Sequence, residues 1–275
     1  MPEGDTVFRA ARALDRALAG RTVTGFESVF PHLTRIDLDH PLRGRTIERV
    51  SARGKHLLMV FSGDLVLRTH MRMSGSWHIY RPGERWQRPR HDMRIVIRTA
   101  AYEAIAFSVP VAEFHTGAAI EREPVLRELG PDPLAADFDA EEAVRRIVAR
   151  GDVEIADALL DQRAIAGLGN VLKSEVLFVC RVNPFARVAE LSPSDVATIV
   201  AKAHRLMHVS AVTGVRQTTG RDNPAARLWV YGRAGEPCRR CGTLIARAKQ
   251  GPHARSTYWC PRCQDRREAT KARRR

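Results

Sequence analysis

Apolar positions in the first twenty residues recur at helical spacing. Val7, Ala11, Leu14 and Leu18 fall at i, i+4, i+7 and i+11, which is one face of a helix. Asp5 is placed to cap that helix, because its carboxylate can accept from the exposed N–H groups of the first turn; Gly20 suits its C-terminal stop. From Arg21 to about Val111 the pattern changes to short β-type runs, namely Thr22–Ser28, Thr46–Ala52, His56–Ser62, Leu65–His70, Met93–Thr99 and Ala104–Val109, separated by Gly, Pro or charged turns. That spacing predicts an antiparallel sandwich. The polar, proline-bounded stretch Pro82–Pro89 reads as a loop. Leu129-Gly130-Pro131-Asp132-Pro133 is stiff and turn-rich and marks a domain boundary. Beyond it the signals are helical: Asp139–Ala149, Ile155–Leu160, Asn170–Val179, and a longer helix running to near Val209. The last is capped by Ser192, with Pro193 at its first position and Asp195 three residues after the cap. The expected division is 2–128, 129–227, a cysteine-bearing segment 228–264, and a basic tail 265–275 that frays. No internal repeat is visible.

Composition narrows the class. Of 275 residues, 44% are hydrophobic and 28% charged, the balance of an ordinary globular protein. No uncharged apolar run approaches the length of a membrane-spanning helix. The opening Met1-Pro2-Glu3-Gly4-Asp5 has no apolar core of the kind a secretory signal needs. A cytoplasmic chain without a membrane partner is expected. The net charge is +14, and its distribution says more than its total. Arg221–Arg275 holds 15 Lys/Arg against 4 Asp/Glu, whereas Glu121–Asp161 holds 5 against 12. Such asymmetry points to a polyanion met by one end of the molecule, although a solvated surface in an arginine-rich chain would look the same.

Four of the five cysteines form two CxxC pairs, Cys238/Cys241 and Cys260/Cys263, with 18 residues between the pairs. Two such knuckles at this spacing complete a tetrahedron around one Zn(2+) ion. With four sulfur ligands no coordination position stays open, so the ion is structural and helps fold a segment too small to hold a core alone. The lone Cys180 sits in an apolar stretch and reads as a packed small hydrophobe. Between the pairs lie Arg247, Lys249 and Arg255, followed by Tyr258 and Trp259. A short two-stranded finger would present these charges to phosphates, with Arg255 the first candidate; one more surface arginine is the plainer alternative. Ala166-Gly167-Leu168-Gly169-Asn170 allows close backbone approach and feeds a helix start that can meet a phosphate. It reads equally as a helix–helix turn.

Five segments in the same order resemble the formamidopyrimidine-DNA glycosylase/endonuclease VIII family. They are Pro2-Glu3-Gly4-Asp5-Thr6-Val7, Arg53-Gly54-Lys55-His56-Leu57, Leu129-Gly130-Pro131-Asp132, Gly167-Leu168-Gly169-Asn170, and Tyr231-Gly232-Arg233 through Cys263-Gln264. The resemblance implies an α+β multidomain fold: an N-terminal β-sandwich fronted by a helix, a helix–two-turn–helix domain, and a C-terminal zinc finger. It implies a monomeric, nucleoid-associated enzyme that acts on damaged double-stranded DNA. Pro2, freed of Met1, would be the nucleophile, since an α-amino group has a pKa of about 7.7–8.0 and is partly neutral near pH 7. Glu3 and Lys55 would move protons, and Arg255 would hold the lesion phosphate and assist δ-elimination. Gly169 and Asn170 would meet the backbone. His70-Met71-Arg72-Met73-Ser74-Gly75 resembles the loop that fills the gap left by a flipped base; His70 and Arg72 would contact DNA and Met73 would be the apolar wedge. Taken alone, Lys55 reads as a solvated strand end and Met73 as core filler.

The opening Pro-Glu-Gly-Asp-Thr-Val is similar to the endonuclease VIII branch, which acts on oxidised pyrimidines. Ala104–Val109 also lacks the Asp-Pro-Arg-Arg-Phe-Gly loop of the purine-directed branch. Arg72-Met73-Ser74, however, is closer to the purine branch than the Gln-Leu-Tyr of endonuclease VIII, and Glu128 stands where the family has an arginine, with Arg127 one place off. Oxidised purines, or a non-catalytic zinc-finger DNA binder, are the alternatives.

Overall fold

The computed structural model describes residues 2–221 and 223–265. Residues 266–275, most of the expected basic tail, lie outside the described residues. The chain divides into two compact units, Met1–Glu128 and Leu129–Arg275.

The first unit begins with helix α1 (Gly4–Leu18). Val7, Ala11, Leu14 and Leu18 are all buried, each contributing on the order of 1.5–3 kcal/mol by leaving water. The helix starts earlier than its expected cap. Glu3 is the N-cap residue and makes no side-chain cap bond, while the Asp5 carboxylate, inside the first turn, accepts from the Thr6 N–H at 2.7 Å. There follow β1 (Val23–Ser28), α2 (Pro31–Asp39), β2 (Ile47–Arg53), β3 (His56–Phe61), β4 (Leu65–His70), β5 (Ser76–Tyr80), β6 (Met93–Thr99), β7 (Glu103–Phe107) and β8 (Val111–His115). Short helices α3 (Gly117–Arg122) and α4 (Pro124–Arg127) close the unit.

The strands form two four-stranded antiparallel sheets, ordered β1-β6-β7-β5 and β2-β3-β4-β8. Inward residues of both sheets, among them Phe61, Leu67, Ile95 and Ala106, share one core with α1. The expected sandwich is present, with α2, β5 and β8 in addition. The far side of the first sheet is covered by the predicted loop, whose Trp86 packs against Tyr80, Met93 and Phe107.

The second unit holds α5 (Ala140–Val148), α6 (Ile155–Ala158), α7 (Asn170–Val179) and α8 (Pro193–Thr213). Asp139 caps α5 by accepting from the Glu142 N–H. Ser192 and Asp195 form the expected reciprocal cap on α8, which runs four residues beyond Val209 and ends at Gly214 in the left-handed region. Every residue of α7 from Asn170 to Phe178 is buried, so α7 is the axis about which this unit packs. A two-stranded ribbon, β9 (Ala246–Gln250) and β10 (Arg255–Trp259), completes it. No helix among the described residues is long and apolar enough to cross a membrane.

Candidate active site and nucleic-acid interface

In the first unit, α1 lies against β2 and runs opposite to it. The Gly20 N–H donates to Ile47 O at 2.8 Å, and the Asp15 carboxylate accepts from the Val50 N–H at 2.7 Å. Beyond that pairing the strand advances about 3.3 Å per residue and the helix retreats about 1.5 Å per residue. Pro2-Glu3 and Gly54-Lys55 therefore reach the same end of the unit. Pro2 is half-buried and Glu3 fully buried. The Glu3 backbone carbonyl accepts from the Thr6 and Val7 N–H groups at 2.9 and 3.0 Å, which anchors Pro2 to the first helical turn. Arg53 pairs with His56 across a two-residue turn, Gly54-Lys55. Gly54 has φ of +60°, the left-handed geometry that glycine adopts without strain.

His70 ends β4 directly opposite His56. The two rings meet edge to face, with centroids 4.8 Å apart. Burial first, then the charges of neighbouring groups, push His56 down to about 3. Burial, then Arg72, Lys55 and Arg68, push His70 down to about 4. Lys55, Arg68 and Arg72 thus form one cationic cluster around two uncharged imidazoles. His70 Nδ1 accepts from the Arg72 N–H at 3.0 Å, holding a turn in which Arg72 has φ of +50°. A Cβ on Gly75 would lie 2.6 Å from the Met71 carbonyl oxygen, so the turn closes only on glycine. Met71 is in the core, whereas Met73 is 59% exposed at the tip. Met73 is not core filler.

In the second unit, Gly167 has φ of +81° and Gly169 is the N-cap of α7. Asn170 Nδ2 donates to Ser256 O at 2.7 Å, which sets Asn170 beside Arg255, the first residue of β10. Asn170 Oδ1 is buried and has no hydrogen-bond partner among the described residues. Arg255, Arg247 and Lys249 are all exposed on the ribbon. The four thiolates of Cys238, Cys241, Cys260 and Cys263 lie within 4.8 Å of one another. Cys238–Cys263 are 4.0 Å apart and Cys241–Cys260 3.4 Å apart, close to the roughly 3.8 Å edge of a tetrahedral zinc–sulfur site. The donor set fits one structural zinc ion. Arg240 and Cys263 donate backbone N–H groups to Cys238 and Cys260 sulfur at 3.4 Å, which would stabilise the thiolates.

The ribbon is tied to α7 by residues that sequence reasoning passed over. Lys173, wholly buried, donates to Thr257 Oγ1 at 2.7 Å. Thr257 donates to Gln250, and Gln250 to Glu154 and the Pro184 carbonyl. Glu175, also wholly buried, accepts from the Trp229, Val230 and Tyr231 N–H groups at 2.8–2.9 Å and from the Thr218 hydroxyl. The signal was present in two charges of opposite sign within an otherwise apolar helix. His56 and Arg68 were passed over likewise. Cys180 is largely shielded, and burial raises its thiol to about 11, in keeping with an inert packing role.

The sandwich, the helical unit and the four-cysteine ribbon make an α+β fold with one structural zinc, and the matches that follow show it to be that of a DNA glycosylase/lyase of base excision repair. Residues 1–110 match the formamidopyrimidine-DNA glycosylase N-terminal domain, residues 129–221 the formamidopyrimidine-DNA glycosylase H2TH domain, and residues 235–266 the zinc finger found in FPG and IleRS. A probable endonuclease 8 2 of Streptomyces coelicolor is 42% identical, over 96% of this chain and 94% of that protein. The DNA-(apurinic or apyrimidinic site) lyase Nei2 of Mycolicibacterium smegmatis is 40% identical, over 96% and 99%. The Lactococcus lactis Fpg, solved in complex with DNA containing an abasic site, is 26% identical with a TM-score of 0.82, over 96% of this chain and 100% of that one. The chain belongs to the formamidopyrimidine-DNA glycosylase/endonuclease VIII family.

Proposed function

We propose that the chain excises oxidised pyrimidines from duplex DNA and cleaves the resulting abasic strand by β,δ-elimination, with Pro2 as nucleophile. What supports this reading is that Pro2-Glu3, at the head of α1, and Lys55, in the β2–β3 turn, lie toward the same end of the sandwich. With Met1 removed, the neutral Pro2 amine attacks C1′ of the deoxyribose and displaces the base. The iminium that forms draws electrons from C2′ and drives loss of the 3′ phosphate. Glu3 protonates the opened sugar oxygen, and Lys55 contacts phosphate and supplies a proton during elimination. Arg255 holds the lesion phosphate through δ-elimination, and Asn170 at the head of α7 meets the backbone nearby. Met73 enters the gap left by the flipped base, with Arg72 beside the orphaned partner and His70 on phosphate. The enzyme works as a monomer in the cytoplasm, on nucleoid DNA.

Two observations favour pyrimidines. Ser108, Val109 and Pro110, which connect β7 to β8, include no arginine. The relatives at 40–42% identity also carry endonuclease VIII-type names. Arg72-Met73-Ser74 favours a second reading, in which oxidised purines are taken as well.

Borohydride reduction of the enzyme on abasic DNA should give a cross-link that mass spectrometry maps to Pro2. An uncleaved tag ahead of Pro2 should abolish it. A linkage at another residue, or normal cleavage by the tagged protein, would remove Pro2 from the mechanism. A thymine glycol duplex should be cut faster than an 8-oxoguanine duplex; the reverse order would select the purine reading.

A further inference from the structure

Leu65 and Leu67 of β4 point into the sandwich core, so Val66, Arg68 and His70 face the opposite side of the sheet. Arg68 is only 5% exposed there, a costly location for a guanidinium unless it is fully engaged. Its Nη1 donates to His56 Nδ1 at 3.2 Å and its Nη2 to the Glu113 carboxylate. Glu113 also meets His115 Nε2 at 3.2 Å, and Glu123, at the α3–α4 junction, lies 4.0 Å from Arg68. Arg68 Nε is buried without a hydrogen-bond partner among the described residues. The one neutral hydrogen-bond partner of Arg68 is the imidazole next to Lys55.

We propose that Arg68 is a positioning residue for the lyase site: it holds His56, and through the edge-to-face ring contact His70, as uncharged Nε2–H donors beside Lys55. The hydrogen bond from Arg68 occupies His56 Nδ1 and so leaves the proton on Nε2. The Arg72 N–H does the same at His70 Nδ1. An imidazolium cannot join Lys55, Arg68 and Arg72 without strong repulsion. The phosphate-facing edge therefore presents neutral donors whose state does not change with pH in the working range. The groups facing this pair are Lys55 from the hairpin, Arg68 from β4 and Arg72 from the turn; behind Arg68 stand Glu113 of β8, which also meets His115, and Glu123 of the α3–α4 junction, with Arg53 and Glu121 paired 3.3 Å apart.

This inference rests on the proposed reading of Lys55 and His70 as DNA-side groups. Its test uses the full-length zinc-loaded enzyme and a duplex carrying an uncleavable tetrahydrofuran abasic analogue. Wild-type affinity should stay flat within about twofold from roughly pH 7.5 to pH 5.5, because neither imidazole changes charge in that window. Arg68→Met should bind about fivefold more weakly at the upper pH and recover most of that at the lower one. Without the guanidinium the Glu113 carboxylate loses its cation, and a proton on the His56 ring should replace the lost charge. Arg68→Lys, which keeps a cation, should bind tightly at both. Equal binding by Arg68→Met and wild type, or weakness without recovery, overturns the proposal. If Arg68→Met does not fold, histidine-ring NMR of the wild type decides, since a His56 or His70 titration near the ordinary imidazole value of about 6.5 also overturns it. Should wild type fail to trap on abasic DNA, the proposed function falls. Should it trap normally while Arg68→Met keeps a flat profile, only the role of Arg68 falls.

Discussion

Histidines at 56 and 70 make stability depend on pH below about pH 6.5. Both are pushed below their ordinary value, His56 to about 3 and His70 to about 4. The unfolded chain therefore binds more protons than the folded one below about pH 6.5, and stability falls as pH falls through that range. Each unit of difference is worth about 1.4 kcal/mol, so His56 alone should cost about 2 kcal/mol between roughly pH 6.5 and pH 5. The carboxylates held low by arginines, Asp92 and Glu113 among them, weaken the fold only at more acid pH. Urea unfolding at the two pH values should show the loss, and His56→Gln, whose amide oxygen can still accept from Arg68, should remove most of it. An unchanged midpoint in wild type would mean that His56 is accessible to protons in the folded state. At this scale the sequence was legible where a residue's chemistry is tied to a local motif. The four cysteines are of that kind. It was illegible where partners come from distant strands, as with Arg68, His56 and Glu113, which only the sheet register brings together.

Elements were readable in proportion to their periodicity. α1 carries an apolar stripe, α8 a capping box, and α7 follows a glycine-rich turn; all three were predicted within a few residues. α2 was missed because its burial is almost nil: only Leu33 is in the core, and Leu38 is 76% exposed. β5, Ser-Trp-His-Ile-Tyr, puts polar groups among its apolar ones, and β8 follows directly on Pro110 and carries Glu113 in its centre. The alternation in β5 is that of a half-buried strand and was passed over, whereas β8 does not resemble one until its neighbours are known. The turn at 129–133 shows the converse. A Cβ on Gly130 would stand 2.6 Å from the backbone carbon and oxygen of Ala164, and the Gly130 N–H donates to Gln162 O at 2.8 Å. Backbone cannot swing aside as a side chain can. Gly130→Ala should therefore destabilise the second unit by about 3 kcal/mol, read as a lowered unfolding midpoint with zinc still bound. In the ribbon, Cys260→Ser removes one ligand from a closed four-thiolate set. It should release the metal and weaken DNA binding together, because the ribbon has little apolar core of its own beyond Val230 and Ile245. Retained zinc with unchanged affinity would detach the ribbon from DNA recognition.

Across the whole molecule the charge asymmetry becomes a statement about how DNA is held. The net charge is +14, and residues 221–275 carry 15 Lys/Arg against 4 Asp/Glu. On the ribbon Arg247, Lys249 and Arg255 are all exposed. Cations that neutralise phosphates release condensed counterions, so the logarithm of the binding constant should fall linearly with the logarithm of salt concentration, by about 0.9 per phosphate neutralised. Arg255→Ala should lower that slope by about 1 and weaken binding to undamaged and abasic duplexes by similar factors, because a phosphate contact carries no base information. Met73→Ala should do the opposite, leaving the slope alone while selectively weakening duplexes in which a nucleotide has left the stack. The pair of variants thus separates two contributions that one affinity merges, general grip from the basic ribbon and lesion-dependent insertion from the first unit. If Arg255→Ala left the salt slope unchanged, Arg255 would not meet a phosphate, and the proposal that the ribbon arginine steadies the strand during the second elimination would fail with it.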